Sequence, residues 1–208
     1  MPKIVDHAAR RGELARVVWR LIGHSGVAAA TVRAVAAESG WSMGAVRYYF
    51  STHDELLYFA GEVMAQRIVT RVQGSFAAEW AGPRIDRAAH ILEQLLPIDD
   101  DRRVEVHVWL AFMTVARTDP RFDELRTSGW AGERYLCRLA VADALELALP
   151  RSAGSSLATP ELEDSAARVH VVIDGMSLQA VTYPEHWPPE RLSESVRLLL
   201  EDEVRRFS

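Results

Sequence analysis

Apolar residues recur along this chain with the period of a helix and hardly anywhere with the period of a strand. Residues 7–24 set Leu14, Val17, Val18, Leu21 and Ile22 at i, i+3, i+4, i+7 and i+8, a single buried stripe. Gly23 and Gly26 end that element. A short helix is predicted from Thr31, a capping residue, to Ser39, with Gly40 as its stop. Ser42 caps a third, ending near Phe50. Thr52-His53-Asp54-Glu55 has capping-box spacing and opens a helix that reaches about Phe76. Beyond Gly82-Pro83 the period predicts helices over about 84–96, 103–117, 121–149, 161–182 and 190–206. The acidic run Asp99-Asp100-Asp101 is read as a turn, and 121–149 is expected to bend near Gly129 or Gly132. Residues 150–160, PRSAGSSLATP, read as a loop.

This is an all-α chain of about nine helices. Two short helices separated by only Gly40-Trp41 form a helix-turn-helix, in which one helix braces on the duplex backbone and the next enters the major groove. Gly40 supplies the positive φ of the turn, Ala36 allows close helix contact, and Val46 and Phe50 close the small core. The expected organisation is a three-helix DNA-binding head over 1–51 and a C-terminal helical bundle over 52–208.

Composition fits that picture. The chain has 208 residues, 49% apolar and 25% charged, the balance of a globular protein long enough to bury a core without staples. No stretch approaches the roughly 20 apolar residues of a membrane span. The N-terminus lacks an apolar signal core, so a cytoplasmic location is expected and no membrane partner. The single cysteine, Cys137, excludes an intrachain disulfide and a cysteine zinc cluster. A net charge of −5 argues against nucleic acid until it is divided. Residues 1–50 hold seven basic and three acidic groups, net +4; the remainder holds 17 basic and 26 acidic groups, net −9. A basic segment on an acidic body marks an anion-binding module.

Residues 31–57, TVRAVAAESGWSMGAVRYYFSTHDELL, resemble the TetR family of one-component transcriptional regulators. Thr31, Val35-Ala36, Gly40, Ser42, Gly44, the aromatic pair before Phe50, and Glu55-Leu56-Leu57 carry the resemblance. Trp109, Thr118-Asp119-Pro120, the run from Asp174 to Ala180, and Arg47 are similar to the BetI-like branch. The resemblance implies a DNA-binding head, a body that dimerises and takes up a small molecule, and repression. Two positions depart from the pattern. His53 stands where a phosphate-touching lysine is usual, and Trp41 is large for the turn, where it either caps the core or reaches the sugar-phosphate backbone.

The expected partner is double-stranded DNA with a palindromic operator. Ser42, Met43, Gly44 and Arg47 occupy the start and outer side of the reading helix, where Gly44 permits close approach and Met43 can meet a thymine methyl. Arg47 suits guanine O6 and N7 or a phosphate, and both remain open. Tyr48, Tyr49, Thr31, Arg33, Trp41 and His53 are assigned to the backbone. Arg10 and Arg11 either join them or form a solvated face.

In the body, Val169, Val172, Ile173 and Met176, with Leu192, Val196, Leu199 and Leu200, are assigned to a homodimer interface. Trp80, His90, Trp109, Phe112, Met113, Trp130, Tyr135, Cys137 and Gln179 are assigned to a pocket for an unidentified small-molecule effector. His107 and His170 are read as satisfied or surface histidines, since the sequence shows no tight His/Asp/Glu cluster around them. No phosphate-binding glycine loop, nucleophile elbow or HExxH is present, so neither catalysis, a cofactor nor a metal is expected.

Overall fold

The computed structural model describes residues 7–77 and 80–207. Residues 1–6 of the expected head, with Lys3 and Asp6, lie outside them. Among the described residues the chain is helical throughout: α1 (His7–Ser25), α2 (Val32–Ser39), α3 (Met43–Tyr49), α4 (His53–Ala77), α5 (Arg84–Glu93), α6 (Asp100–Ala116), α7 (Asp123–Ala144), α8 (Pro160–Thr182) and α9 (Pro189–Phe207). Short 3-10 turns at Val27–Ala29 and Pro120–Phe122 join α1 to α2 and α6 to α7.

The predicted caps form. Thr31 Oγ1 accepts from the Ala34 amide and Ser42 Oγ from the Ala45 amide, each at 3.1 Å. Gly40 ends α2 in the left-handed region, φ 71°. At α4, Thr52 Oγ1 accepts from the Glu55 amide at 3.1 Å. The return bond of the box is displaced by one residue, because Glu55 Oε2 takes the Ser51 amide instead, at 2.5 Å.

Three boundaries differ from the sequence reading. The acidic run is a helix start and not a turn: Asp99 Oδ1 accepts from the Arg102 amide at 2.8 Å, and Asp100 and Asp101 sit in the first turn of α6. Carboxylates are favoured there by the exposed amides and the helix dipole. Helix α7 passes through Gly129 and Gly132 unbroken. Both face open space, so each costs only the glycine propensity of about 1 kcal/mol. It stops at Ala144, not 149, where Glu146 adopts φ 58° and the Leu147 amide bonds back to the Ala142 carbonyl at 2.8 Å. That is a left-handed helix stop held by a 6→1 bond.

Two cores matter for function. One joins α5, α7, α8 and α9 around Leu92, Cys137, Ala140, Ala166, Val169, Ile173, Leu192, Val196 and Leu200. The other fills the head with Leu14, Val18, Val35, Ala36, Val46 and Phe50, and continues into Leu56, Phe59 and Ala60 of α4 and Val108 of α6. The head is therefore not a separate bead. A Cβ on Gly23 would stand 3.1 Å from Val104, so α1 lies close against α6.

Candidate functional site

The head presents one polar face. Thr31, Arg33, Ser42, Met43, Gly44, Arg47 and Tyr48 are exposed, while Val35, Ala36, Val46 and Phe50 of the same two helices and their caps are buried. Gly44 meets no side chain within 4 Å, leaving the start of α3 open to close approach. Tyr49 is half-buried between Trp41 and Phe50 (ring centroids 6.0 and 6.3 Å), and Tyr48 stands outward against it.

Trp41 caps the core. Its ring packs against the head cluster, and its indole N–H donates to Glu13 Oε1 at 3.3 Å. The N–H that could have reached a phosphate is thus held within the chain. The two arginines at the start of α1 separate. Arg11 pairs with Glu62 at 3.0 Å and lies over the Phe59 ring, which ties it to α4. Arg10 lies over the Trp41 ring at 5.1 Å, beside the turn of the helix-turn-helix. His53, in the first turn of α4, hydrogen-bonds the Ala30 carbonyl through Nδ1 at 3.3 Å. A carbonyl only accepts, so Nδ1 carries the proton.

Behind the head, a cavity of about 30 Å³ lies among α4, α5, α6, α7 and α8. Its wall includes Ile68, Gln94, Glu105, Trp109, Glu133, Asp174 and Ser177. A water occupies roughly 10–15 Å³ by this measure, so the space holds one or two. Glu105 is 3% exposed and neutralised by Arg67 and Arg71 of α4. Glu133 and Asp174 face each other across His170. Burial and the neighbouring Glu133 carboxylate raise the Asp174 carboxyl from the usual carboxylate range to about 6.

Of the nine side chains expected to form one pocket, only Trp109 lines this cavity. Trp80 is exposed and donates to the Pro83 carbonyl at 3.1 Å, with His90 stacked 5.8 Å away. Phe112 belongs to a separate cluster with Leu57, Ala116 and Phe122, while Met113 and Trp130 face outward. The Tyr135 hydroxyl donates to Pro150, Cys137 is fully buried in the body core, and Gln179 accepts from Trp187 at the surface. Hydropathy marks aromatic residues as interior but does not say which interior. The polar wall, Gln94, Glu105, Glu133 and Asp174, escaped the sequence reading. For the three carboxylates the only signal was charge placed within apolar helices, and Gln94, at the end of α5, gave none.

Two further corrections concern the body. Val169, Ile173, Leu192, Val196 and Leu200 are 0–1% exposed within the single chain, and Met176 is also buried, so none is left for a partner. Val172 and Leu199 are half-buried against the same core. The large apolar residues of these two helices that face outward are Val171 and Leu178 of α8 and Leu198 and Phe207 of α9. His170 is a buried, satisfied histidine as expected, with both ring nitrogens hydrogen-bonded, but it does sit in a tight cluster: its Nε2 lies 3.2 Å from Glu133 Oε2 and 3.8 Å from Asp174 Oδ2.

Residues 84–205 match the family described as BetI-type transcriptional repressor, C-terminal, and residues 17–58 match Bacterial regulatory proteins, tetR family. The chain belongs to the TetR family. This TetR-family member is 32% identical to the HTH-type transcriptional regulator PksA of Bacillus subtilis (strain 168) over 197 residues, 94% of this chain and 90% of that protein. A transcriptional regulator from Rhodococcus sp. RHA1 superposes with TM-score 0.76 at 28% identity, covering 94% and 96% of the two chains. A choline complex from Saccharomonospora viridis, described as a transcriptional regulator, has TM-score 0.76 at 18% identity, covering 94% and 97%, and shares the fold. The TetR-family chain is a DNA-binding transcriptional regulator, and its relatives are regulators and not enzymes. Among the described residues no helix is long and apolar enough to cross a membrane.

Proposed function

We propose that this TetR-family chain is a homodimeric cytoplasmic repressor that grips a palindromic operator through α3 and releases it when a small molecule occupies the body. The observation that carries the reading is the exposed start of α3. There Ser42, Met43, Gly44 and Arg47 project from a helix whose inner side, at Val46, is fully buried. Thr31, Arg33, Tyr48, Tyr49 and the His53 turn surround that start and suit phosphate contacts. Two copies related by a two-fold axis would place two such helices on successive major-groove faces.

Dimerisation is assigned to Val171, Leu178 and Leu198. Val171, Gly175 and Leu178 form an i, i+4, i+7 stripe on α8, and Gly175 meets no neighbour within its own chain. The effector is assigned to the space at Trp109. Ligand pockets commonly measure about 300–1,000 Å³, so a bound effector would have to part the helices around the 30 Å³ cavity. That parting favours a head spacing unlike the operator's, and works only through unequal affinity for the two states.

The smallness of the cavity supports a second reading, in which the regulator is ligand-independent or controlled by a protein partner. One experiment addresses both. Sites selected from random DNA by the purified dimer are expected to be palindromic; selection of no sequence would overturn the regulator reading. Release of that DNA by a metabolite in a screen favours the first reading, and its absence across the screen favours the second.

A further inference from the structure

Helix α8 carries His170 and Asp174 one turn apart on one face, and α7 brings Glu133 to the same point. His170 Nε2 lies 3.2 Å from Glu133 Oε2 and 3.8 Å from Asp174 Oδ2, and the three ligand atoms all lie within 4.8 Å of one another. Atoms held about 2.1 Å from one ion stand roughly 3.0 Å apart at octahedral angles and about 3.4 Å apart at tetrahedral ones. The 3.2 Å separation falls between the two, and the 3.8 Å separation exceeds the tetrahedral value by about 0.4 Å, a gap that a small shift of the exposed Asp174 side chain closes. The His170 side chain is 3% exposed and Glu133 19%, so the cluster is set into the body, while Asp174 at 42% leaves a way in. Glu133 and Asp174 also border the 30 Å³ cavity, which has room for the water or two that would complete the coordination.

We propose that Glu133, His170 and Asp174 form a binding site for a first-row divalent transition metal, taking one nitrogen and two carboxylate oxygens from the chain. One imidazole with two carboxylates suits zinc or manganese better than magnesium, which prefers oxygen alone. Arg134 sets the condition for loading. Its Nε donates to His170 Nδ1 at 3.3 Å, so the empty ring carries its proton on Nε2 and donates it to Glu133. On binding, that proton moves from Nε2 to Nδ1. Arg134 has no acceptor to offer and must turn away. The ion then ties α7 to α8 and cancels negative charge beside the cavity.

The test is calorimetric titration of chelator-stripped, tag-free, full-length protein with zinc chloride, manganese chloride and magnesium chloride. One zinc per chain is expected, with magnesium far weaker. His170→Gln and Asp174→Asn should each weaken zinc by about tenfold or more, the scale on which altering a metal site's surroundings already acts. Arg134→Gln should tighten it, because a donor-only cation gives way to a neutral amide whose oxygen can accept from Nδ1; a purely structural cluster would give no such gain. Failure of the wild-type chain to bind either zinc or manganese stoichiometrically would overturn the site. Equal zinc binding by His170→Gln and Asp174→Asn would assign the metal to surface groups and overturn it as well. Asp174, at the rim, carries the decision if His170→Gln fails to fold. The operator selection above is independent of this outcome, so the two readings fail separately.

Discussion

Arg71 on α4 grips Glu105 on α6 through two hydrogen bonds, Nη1 to Oε1 at 2.8 Å and Nη2 to Oε2 at 2.5 Å. Arg67 Nε adds a third contact to Oε1 at 2.9 Å. Gln94 Oε1 takes Arg71 Nε and Arg102 Nη2, both at 3.0 Å. Helix α4 starts inside the core of the head, so its tilt against α6 cannot change while these bonds hold. Removing the carboxylate takes from both guanidinium groups their buried counter-charge, although Arg67 keeps Asp101 and Arg71 keeps Gln94. Glu105→Gln is expected to lower unfolding free energy by about 2–4 kcal/mol, discounted because both guanidinium groups reach solvent. Urea denaturation measures it, and an unshifted midpoint would show that water replaces the carboxylate without cost.

The DNA face separates arginines that look alike in the sequence. Arg47→Ala should weaken operator binding. If the side chain reads guanine, it should relax preference at one base step by about 1–3 kcal/mol. If it holds phosphate, the loss is uniform across sequences and the salt dependence flattens by about one counterion. Arg11→Ala should leave the salt dependence unchanged, because Glu62 already pairs with that side chain. Competition binding against operator variants at several salt concentrations distinguishes the cases. A salt-insensitive wild type would remove the electrostatic account altogether.

Local signals made the head legible. Thr31, Gly40, Ser42 and Val46 each have a role set by residues within a few positions, and each lies where spacing put it. The body was legible as helices but not as surfaces. Val169 and Val171 are two positions apart on one apolar stretch, yet one is fully buried and the other 71% exposed. Which side faces in depends on α5, α7 and α9, which no window of α8 contains. The His170 cluster was half visible, as His170 and Asp174 one turn apart. Its third member lies 37 residues upstream, and only the packing of α7 on α8 delivers it.

The dimer assignment has a direct check. Val171→Glu together with Leu178→Glu places charge on exposed positions, so the folded chain should keep its helical spectrum while the dimer dissociates to monomer. Operator affinity should fall with it, because each monomer engages only a half-site. Light scattering at micromolar concentration reads the mass. A double variant that stays dimeric would move the interface off α8.

The head and body share one core, and that changes what a truncation would do. Cutting before residue 52 removes α1 to α3 and bares Leu56, Phe59, Ala60 and Val108, all buried in the full chain. Each large side chain so uncovered forfeits roughly 1.5–3 kcal/mol of burial. The 52–208 fragment lacks every residue assigned to DNA apart from His53, so it should show no operator affinity. It should also melt well below the full chain and aggregate on standing. Replacing Leu56 and Phe59 by Gln within the fragment should restore solubility without restoring DNA binding. A thermal scan beside sedimentation decides it: a fragment that melts with the full chain and stays dispersed would mean that α4 and α6 reclose over the exposed surface, and that residue 51 is a true domain boundary.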